Sequence, residues 1–242
     1  MCGRYGASWG VDDLVAEFDL TSVDVPVAER LQPDWNVAPT KPVYAVVTRR
    51  ERGEPDSEPS RRLVTLQWGL VPFWAKDPKI GSRMINARVE TLAQKHRRTL
   101  SRRRCIIPAD GFYEWEHTGS KRKQPWYIAR RDDAPLAFAG LWDSWRPSKD
   151  SEDRVRTCTI ITGPPNDRIA ELHDRMPVVL PRDAWDAWLD PDNQDLGALQ
   201  GLLVAAPSEL FDLVPVSTAV NTVANDGPEL VEPIELVPDT LL

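Results

Sequence analysis

The sequence predicts an α+β fold: one domain with a mostly antiparallel, barrel-like β core and peripheral helices. Strand-like segments outnumber helical ones and do not alternate with them regularly, which disfavours a doubly wound parallel sheet. The chain has 242 residues, of which 41% are hydrophobic, and this is enough for one substantial core. We therefore expect residues 1–242 to form a single domain.

The individual elements are predicted from the period of the apolar residues and from the turn residues between them. Residues 33–42, which include three prolines, are expected to form an extended turn segment. Helical periodicity predicts helices at 12–19, 90–103, 166–173, 182–189 and 195–203, the third of them with Asn166 as its N-cap. Short apolar or alternating runs predict strands at 43–48, 63–68, 105–107, 112–116, 126–129, 136–141, 155–162 and 177–180.

Two segments are expected to lie outside the core. Residues 49–62 are polar and charged and include Gly53, Pro55 and Pro59, which predicts an exposed loop. Residues 225–242 are rich in proline and acidic side chains, so we expect this segment to wrap around the surface.

The composition argues against several classes of protein. No apolar run approaches the roughly 18 residues of a membrane span, and no basic-then-apolar signal begins the chain, so we expect a cytoplasmic protein without membrane contacts. Three cysteines without CxxC spacing argue against a disulfide framework and a zinc site. We expect no metal and no other cofactor, and buried packing roles for Cys105 and Cys158.

The charge is distributed unevenly along the chain, although the net charge is -7. Residues 41–131 hold 21 Lys and Arg against 9 Asp and Glu, whereas residues 132–242 hold 7 against 21. A basic stretch of this kind indicates an anion-binding face, and ten tryptophans offer rings on which unpaired bases can stack. A solvated charged surface and tryptophans in the core remain the alternative explanation.

Cys2 follows the first methionine in Met1-Cys2-Gly3-Arg4-Tyr5. Removal of Met1 would leave an α-amine and a thiol on the same residue. A free α-amine has a pKa of about 7.7 to 8.0, so a useful fraction is neutral and nucleophilic at pH 7. Once that amine has formed an imine with an aldehyde, the neighbouring thiol can add to it and close a five-membered thiazolidine. From position alone, Cys2 could instead belong to a poorly ordered terminus.

Polar residues at four places are embedded in apolar or aromatic surroundings, where a charge is costly unless it is paired or functional. These places are Arg4, residues 86–88, Glu114 and residues 173–175. Glu114 lies between aromatic residues, which would raise its pKa by desolvation and suit it to proton transfer. A buried ion pair at Glu114 and a surface charge pair at residues 173–175 remain open as alternatives.

Seven motifs occur in order along nearly the whole chain. They are Met1-Cys2-Gly3-Arg4-Tyr5, Trp35-Asn36-Val37-Ala38-Pro39, Trp68-Gly69-Leu70-Val71-Pro72, Ile85-Asn86-Ala87-Arg88-Val89-Glu90-Thr91, Arg104 to Trp115, Phe138 to Trp142 and His173-Asp174-Arg175-Met176-Pro177. Their shared order resembles the SOS-response-associated peptidase (SRAP) family, the shields of abasic sites in single-stranded DNA.

The resemblance implies that Cys2, freed of Met1, condenses with the ring-opened aldehyde of an abasic site and closes a reversible thiazolidine cross-link. It implies that Glu114 moves protons, that His173 assists sugar ring opening and cross-link reversal, and that Asn86 orients the amine and the lesion. Thr162 is a weaker candidate for a hydrogen bond in the site. The family's name also implies a peptidase activity, which we take to be removal of the residue before Cys2 and not general proteolysis.

The resemblance also implies a set of DNA contacts. Three arginines would grip phosphates, and a proline and a tryptophan would wedge and stack against the bases beside the lesion. The residues expected to contact DNA are Arg4, Asn36, Pro39, Trp68, Arg88, Trp115 and Arg175. The expected partner is single-stranded DNA with abasic sites, bound by a monomer that joins the nucleoid, and the replication machinery is a further candidate partner.

Two other functions remain open from the residues. N-terminal-nucleophile glutamine amidotransferases also begin Met-Cys-Gly and use the freed α-amine as a base for the thiol. Their usual continuation into an apolar strand is missing here, where Arg4 follows. The third alternative is a noncovalent reader of modified or single-stranded DNA, in which Cys2 is incidental.

Overall fold

The computed structural model describes residues 2–51, 53–54, 56–116, 123–148 and 150–236. The strands found in these ranges are β1 (Tyr5–Ala7), β2 (Ser22–Val23), β3 (Asp34–Val37), β4 (Pro42–Arg49), β5 (Ser60–Trp68), β6 (Asn86–Arg88), β7 (Arg104–Ala109), β8 (Gly111–Trp115), β9 (Pro125–Arg130), β10 (Leu136–Trp145), β11 (Val155–Gly163), β12 (Met176–Pro177) and β13 (Phe211–Pro215).

The helices are short. The α-helices are α1 (Val11–Glu17), α2 (Leu92–Lys95), α3 (Arg97–Arg102), α4 (Asp167–Ala170), α5 (Trp185–Leu189) and α6 (Leu196–Gly201). Short 3-10 segments cover Val27–Glu29, Pro78–Arg83, Val89–Thr91, Arg182–Ala184, Ser208–Leu210, Thr218–Asn221 and Pro228–Val231. In the described part of the chain, every helix is too short or too polar to traverse a lipid bilayer.

Five strands close into a barrel. β4 pairs with β5 and with β7, β7 with β10, and β10 with β11, all antiparallel. The ring is completed by a parallel contact between β11 and β5, at Cys158 and Trp68. The barrel therefore holds β5 and β11 side by side, and β6 adds to β11 in parallel with Asn86 opposite Ile160.

A second sheet, antiparallel throughout, packs against this barrel in the order β13-β9-β8-β1-β3. The core between the two layers is aromatic. The Tyr5 ring of β1 meets Trp68 edge-on at 5.3 Å and Phe138 at 5.9 Å. Such edge-to-face contacts, with centroids 4.5 to 7 Å apart, are favourable beyond the area they bury. They tie the first strand of the chain to the barrel, next to Cys2.

The predicted α+β class with a mostly antiparallel, barrel-like core is confirmed, and so is the burial of Cys105 and Cys158. The long helix predicted over 90–103 is instead divided into a 3-10 turn, α2 and α3. The strand predicted at 177–180 is β12, which ends at Pro177, followed by a bridge between Phe138 and Val179. Asn166 caps α4 as predicted, accepting from the Ile169 N–H at 2.9 Å.

Several strands were not anticipated from the sequence. β3 lies inside the segment predicted to be an extended turn, and β1, β2, β6 and β13 are short pieces without a repeating apolar pattern of their own. They are strands because distant segments supply their partners; β1, for example, pairs with both β3 and β8. The predicted loop at 49–62 is shortened, since β4 runs to Arg49 and β5 begins at Ser60.

The tail from residue 225 contacts the rest of the protein where it is described. Trp35 N–H donates to Asp226 Oδ1 at 2.8 Å, Pro233 bridges to Val216, and Leu230 is buried. Residues 237–242 of the segment expected to wrap the surface lie outside the described residues. The same is true of Met1.

Candidate active site at Cys2

Cys2 is fully buried three residues before β1 and is held by Asn86. Asn86 Nδ2 donates to the carbonyl oxygen of Cys2 at 2.8 Å. The strand that carries Asn86 is fixed by its neighbours, because Ile160 N–H and Trp68 Nε1 both donate to the carbonyl of Ile85, at 3.1 and 2.9 Å. The barrel therefore positions Asn86, and Asn86 positions Cys2.

Glu114 lies on β8, the strand beside β1, with only 2% of its surface exposed. Tyr113 N–H donates to the Arg4 carbonyl at 3.0 Å, which brings Glu114 level with the residues around Cys2. Burial raises the pKa of Glu114 to about 7, and the charge of Asp174 adds to the rise. A carboxyl group with this pKa can both give and accept a proton near neutrality.

The same buried surroundings change the pKa of the Cys2 thiol. Burial raises the pKa of the Cys2 thiol well above its usual value, and the negative charge of Glu114 raises it further. The two side chains are therefore within electrostatic reach of each other. A thiol with a raised pKa stays protonated at neutral pH and is a poor initial nucleophile.

His173 and its neighbours follow α4 and face the same region. The Arg175 N–H lies 3.0 Å from His173 Nδ1, and Asp174 Oδ1 lies 2.9 Å from the same nitrogen. Because Asp174 also acts on the pKa of Glu114, this segment and β8 lie close together. Cys2, Asn86 and Glu114 thus come together from three separate parts of the chain, and Asp174, the neighbour of His173, lies within electrostatic reach of Glu114.

Thr162 and Arg175 support this region from β11. Thr162 is 1% exposed and lies opposite Arg88 in the parallel pairing of β11 with β6. The Thr162 carbonyl accepts from Arg175 Nη2 at 2.6 Å. Arg175 also makes a two-pronged contact with the Glu90 carboxylate, at 2.5 and 3.1 Å. Arg88, by contrast, is exposed and forms no salt bridge within the described ranges.

Arg4 and Asn36 are used to hold another segment of the protein. Arg4 Nη1 donates to Asn36 Oδ1 at 2.6 Å and to the Val220 carbonyl at 2.8 Å. Asn36 is fully buried, and its Nδ2 also donates to the carbonyls of Thr222 at 3.1 Å and Asn225 at 2.8 Å. The polar atoms of the Asn36 side chain already form hydrogen bonds inside the protein. The expected direct contact of Asn36 with DNA therefore does not fit the structure.

The two residues expected to touch bases are placed differently from one another. Trp68 is 0% exposed and lies between Tyr5 and the Ile85 carbonyl, so its ring faces the core and not a DNA strand. The expected stacking of Trp68 on a base does not fit this burial. Trp68 instead supports the site from the core, by packing on Tyr5 and holding the Ile85 carbonyl. Pro39 is half-buried, on the turn in which the Thr40 N–H donates to the Trp68 carbonyl at 2.8 Å.

Trp115 retains a partly exposed ring. Arg4 lies 6.0 Å from the centre of that ring, and Trp115 Nε1 donates to Asn221 Oδ1 at 2.7 Å. Reasoning from sequence did not single out residues 220–225, which support Arg4 and Trp115. No local motif marks these residues, because their backbone carbonyls make most of the contacts.

The described ranges contain no group of three His, Cys, Asp or Glu side chains arranged to hold a metal ion. The arrangement around Cys2 offers instead a buried thiol, an amide that holds its backbone, a carboxyl group with a pKa of about 7 and an imidazole. These groups can support proton-coupled attack on a carbonyl carbon.

Comparison with known proteins confirms the resemblance inferred from the motifs. A family model described as SOS response associated peptidase (SRAP) matches residues 1–223. The chain is 42% identical to the abasic site processing protein YoaM of Bacillus subtilis (strain 168), over 96% of this chain and 98% of that protein. It is 33% identical to the abasic site processing protein HMCES of Gallus gallus, over 86% of this chain and 68% of that protein.

The fold is also similar to that of a solved structure. A crystal structure of a protein from Bacteroides thetaiotaomicron superimposes with a TM-score of 0.82 at 24% identity, covering 97% of this chain and all of that one. At this identity the likeness establishes a shared fold.

Proposed function

The chain belongs to the SOS response associated peptidase (SRAP) family, and we propose that it processes abasic sites in single-stranded DNA by forming a covalent cross-link through Cys2. The proposal has its strongest support in one relationship: Glu114, whose pKa is raised to about 7, acts electrostatically on a Cys2 whose backbone is held by Asn86. A buried acid with a pKa near neutrality, beside an aminothiol, is suited to imine chemistry.

The reaction proceeds in two bond-forming steps once Met1 has been removed. The α-amine of Cys2 attacks the aldehyde carbon of the ring-opened deoxyribose, and loss of one water leaves an imine. The thiol sulfur then adds to the imine carbon and its proton passes to the imine nitrogen, which closes the thiazolidine. The raised thiol pKa favours this order, since the neutral amine is the better initial nucleophile.

Each neighbouring group has a task in this scheme. Protonated Glu114 gives its proton to the departing hydroxyl group, and the carboxylate takes a proton back from the iminium nitrogen as the imine forms; in ring closure it can relay the thiol proton to that nitrogen. Asn86 keeps Cys2 at a fixed distance from the lesion. His173 assists opening of the sugar ring and reversal of the cross-link, and the Thr162 carbonyl holds Arg175 beside it.

We rank the proposed DNA contacts by whether each side chain is exposed and by whether it already forms a salt bridge. Arg88 is exposed and forms no salt bridge in the described chain, so it is the first candidate for a phosphate contact. Arg175 can join it if phosphate displaces Glu90, and Arg4 and Trp115 border the same region. Pro39 remains the proposed wedge. We further propose that the protein acts as a cytoplasmic monomer on nucleoid DNA near the replication machinery.

The test combines intact-mass measurement with a chemical trap. Wild-type protein is incubated with single-stranded DNA containing one abasic site, and we expect an adduct equal to the two masses minus one water that survives heating. Cys2→Ser is the matched variant: it keeps the α-amine but lacks the thiol. It should give an adduct only after borohydride reduction of the imine.

Three other outcomes would contradict the proposal. A heat-stable adduct that persists in Cys2→Ala would place the linkage elsewhere. Glutamine hydrolysis without any adduct would indicate an amidotransferase. Salt-sensitive DNA binding without an adduct, in protein that has lost Met1, would indicate a noncovalent reader.

The peptidase activity is proposed only as removal of Met1 by the protein itself. If the groups around Cys2 carry out this cleavage, Glu114→Gln protein should retain Met1 where wild-type protein, produced in the same way, has lost it. Intact mass distinguishes the two forms. Complete Met1 loss in Glu114→Gln would assign the cleavage to a cellular aminopeptidase.

A further inference from the structure

A cavity of about 350 Å³ lies at the end of β1 that is farther from Cys2. Ala7 of β1, Val37 of β3 and Val43 of β4 line it, so it lies between the second sheet and the barrel. Leu14 of α1 lines one side. Ala7 is five positions after Cys2, about 17 Å along an extended chain. None of the functions assigned above to the Cys2 site uses this cavity, which we call the β1 cavity.

Hydrogen bonds hold the walls of the β1 cavity in place. The Tyr44 hydroxyl accepts from the Leu31 N–H at 2.7 Å, which fixes the loop before β3 against β4. Lys41 Nζ donates to Asp34 Oδ2 at 2.6 Å and to the Asn36 carbonyl at 3.3 Å. A pre-formed cavity of this size, with mostly apolar walls and a few polar groups, is typical of a small-molecule site.

The carboxyl group of Asp110 has no cationic partner among the residues that line the cavity. The Ser8 N–H donates to Asp110 Oδ2 at 2.7 Å, while Oδ1 is shielded from solvent and accepts no hydrogen bond from any described residue. Burial raises the pKa of Asp110 above its usual value, and the contact with Ser8 opposes the rise. Lys41, the cationic residue of the lining, is paired with Asp34. One negative charge of the lining is therefore left uncompensated when Asp110 is ionised.

The apolar walls include two aromatic side chains, those of Trp9 and Tyr44. The faces of such rings attract cations and also pack on flat apolar groups. A planar aromatic ligand with a cationic end would therefore suit both features of the cavity. Its ring would pack on the walls, and its charge would stabilise the ionised form of Asp110. Because the terminal torsion of an aspartate is soft, a small rotation can turn one oxygen toward the cavity.

We propose that the β1 cavity binds a small planar aromatic cation, with Asp110 as its counter-ion. A neutral ligand of the same shape would leave the Asp110 charge uncompensated, and an anion would be repelled by it. A flexible aliphatic cation would bury less apolar surface and lose more conformational freedom on binding. The cavity therefore favours an amidinium or a protonated heteroaromatic group on a flat ring system. This site does not depend on the function proposed for Cys2.

The test uses 2-naphthamidine, a flat aromatic cation, and 2-naphthamide, its uncharged analogue of nearly the same shape. Isothermal titration calorimetry with the full chain should show a single site for 2-naphthamidine, with a Kd below about 1 mM. The amide should bind about tenfold more weakly or worse, because it cannot form a charge-assisted hydrogen bond with the carboxylate.

Two variants locate the binding in this cavity. Asp110→Asn keeps the shape but removes the charge, so it should weaken 2-naphthamidine about tenfold and leave 2-naphthamide within about twofold. Leu31→Trp places a larger side chain at the cavity wall and should weaken both compounds. The contact of Leu31 with Tyr44 is made by the backbone, so this substitution keeps it.

Asp212→Asn is the matched control for the loss of one negative charge. Asp212 is an exposed aspartate on β13 that pairs with Arg131, and it does not line the cavity. We expect this variant to bind both compounds as the wild type does.

Three results would overturn the proposal. Equal affinity of the wild type for the two compounds, or no saturable binding of 2-naphthamidine below about 1 mM, would show that the cavity does not select an aromatic cation. Wild-type affinity for 2-naphthamidine in both Asp110→Asn and Leu31→Trp would place its site elsewhere. If Asp110→Asn fails to fold, Leu31→Trp and the ratio of the two wild-type affinities still decide. Failure of the protein to cross-link abasic DNA would leave all these measurements unaffected, since none of them uses DNA.

Discussion

Asn86 and Cys2 are joined by a hydrogen bond of 2.8 Å between a side-chain amide on the barrel and the second carbonyl of the chain. The contact spans 84 residues of sequence and links the segment before β1 to β6, the strand that pairs with β11 of the barrel in parallel. An amide is suited to this position because its NH₂ group donates to the carbonyl. The Asn86 Oδ1 atom is buried and accepts no hydrogen bond from the described residues.

Replacement of Asn86 should slow cross-linking with little loss of DNA affinity. Asn86→Ala removes one hydrogen bond that positions Cys2, which corresponds to about a tenfold to hundredfold lower rate at saturating DNA. Asn86→Asp should be slower still, because a carboxylate would face the Cys2 carbonyl. Asn193→Ala, an amide that donates to the Ala187 carbonyl of α5, serves as the control. Equal rates in all four proteins would refute the positioning role.

Glu114 should make the stability of the protein depend on pH. Its folded pKa of about 7 exceeds the unfolded value, so the folded state binds this proton more tightly. The resulting stabilisation of the folded state is complete below about pH 4 and is lost as pH rises through 7. The free energy of unfolding should fall by about 3 kcal/mol over this range for a group this buried. Glu114→Gln should therefore gain stability relative to wild type as pH rises.

Urea unfolding of both proteins between pH 4 and pH 8 measures this difference. The two free energies of unfolding should lie closest at pH 4 and diverge above pH 5. The cross-linking rate offers an independent reading, since the wild-type pH profile should have an inflection near 7 that Glu114→Gln lacks. Parallel stability curves over the whole range would contradict the raised pKa.

Arg88→Ala should weaken DNA binding through a lost phosphate contact. We expect the slope of log K against log salt to become shallower by about 0.7. Fluorescence anisotropy with an undamaged strand at several salt concentrations gives the slope directly. A weaker Kd with an unaltered slope would remove Arg88 from the phosphate contacts.

Glu90→Gln should strengthen DNA binding. Glu90 pairs with Arg175, whose hydrogen bond lowers the pKa of Glu90, and this carboxylate competes with a phosphate for the guanidinium. An exposed pair of this kind contributes about 0 to 1 kcal/mol, so we expect up to about fivefold tighter binding and little change in unfolding. Binding weaker than wild type would show that the Glu90 charge does not oppose the DNA.

Asn36→Ala should destabilise the protein and loosen its C-terminal segment. The variant removes the amide that donates to the carbonyls of Val220, Thr222 and Asn225, and it takes from Arg4 one of its two acceptors, leaving the Val220 carbonyl. We expect the free energy of unfolding to fall by about 3 kcal/mol. Gln94→Ala, an amide at an exposed position of α2, should change it by less than about 0.5 kcal/mol. Limited proteolysis should cut Asn36→Ala faster beyond residue 216.

Much of the barrel could be predicted from local sequence. The apolar runs of β4, β5, β7, β10 and β11 identify these strands because their side chains are buried on the barrel wall. β1 and β6 have no such run, since each is three residues long and owes its strand geometry to a partner far away in sequence. The break between α2 and α3 likewise lies in a segment whose residues all permit a helix.

The order of motifs identified the residues around Cys2, but it could not tell an accessible side chain from a buried one. Trp68 belongs to an apolar strand pattern that fits a core ring as well as a stacking ring, and only the packing on Tyr5 resolves this. Phe73 and Trp74 are exposed because glycines and buried hydrogen bonds hold the backbone beneath them.

The sequence by itself determined the class of fold and the family and predicted Cys2 as the reactive residue, because composition, apolar period and motif order are properties of residues near one another in the chain. The tertiary structure alone decided that Asn86 holds Cys2, that Asn36 and Arg4 hold the segment at 220–225, and that Arg98 lies over the exposed Phe73 ring. These contacts depend on burial and on partners many residues away, and both arise only when the sheets close around a common core.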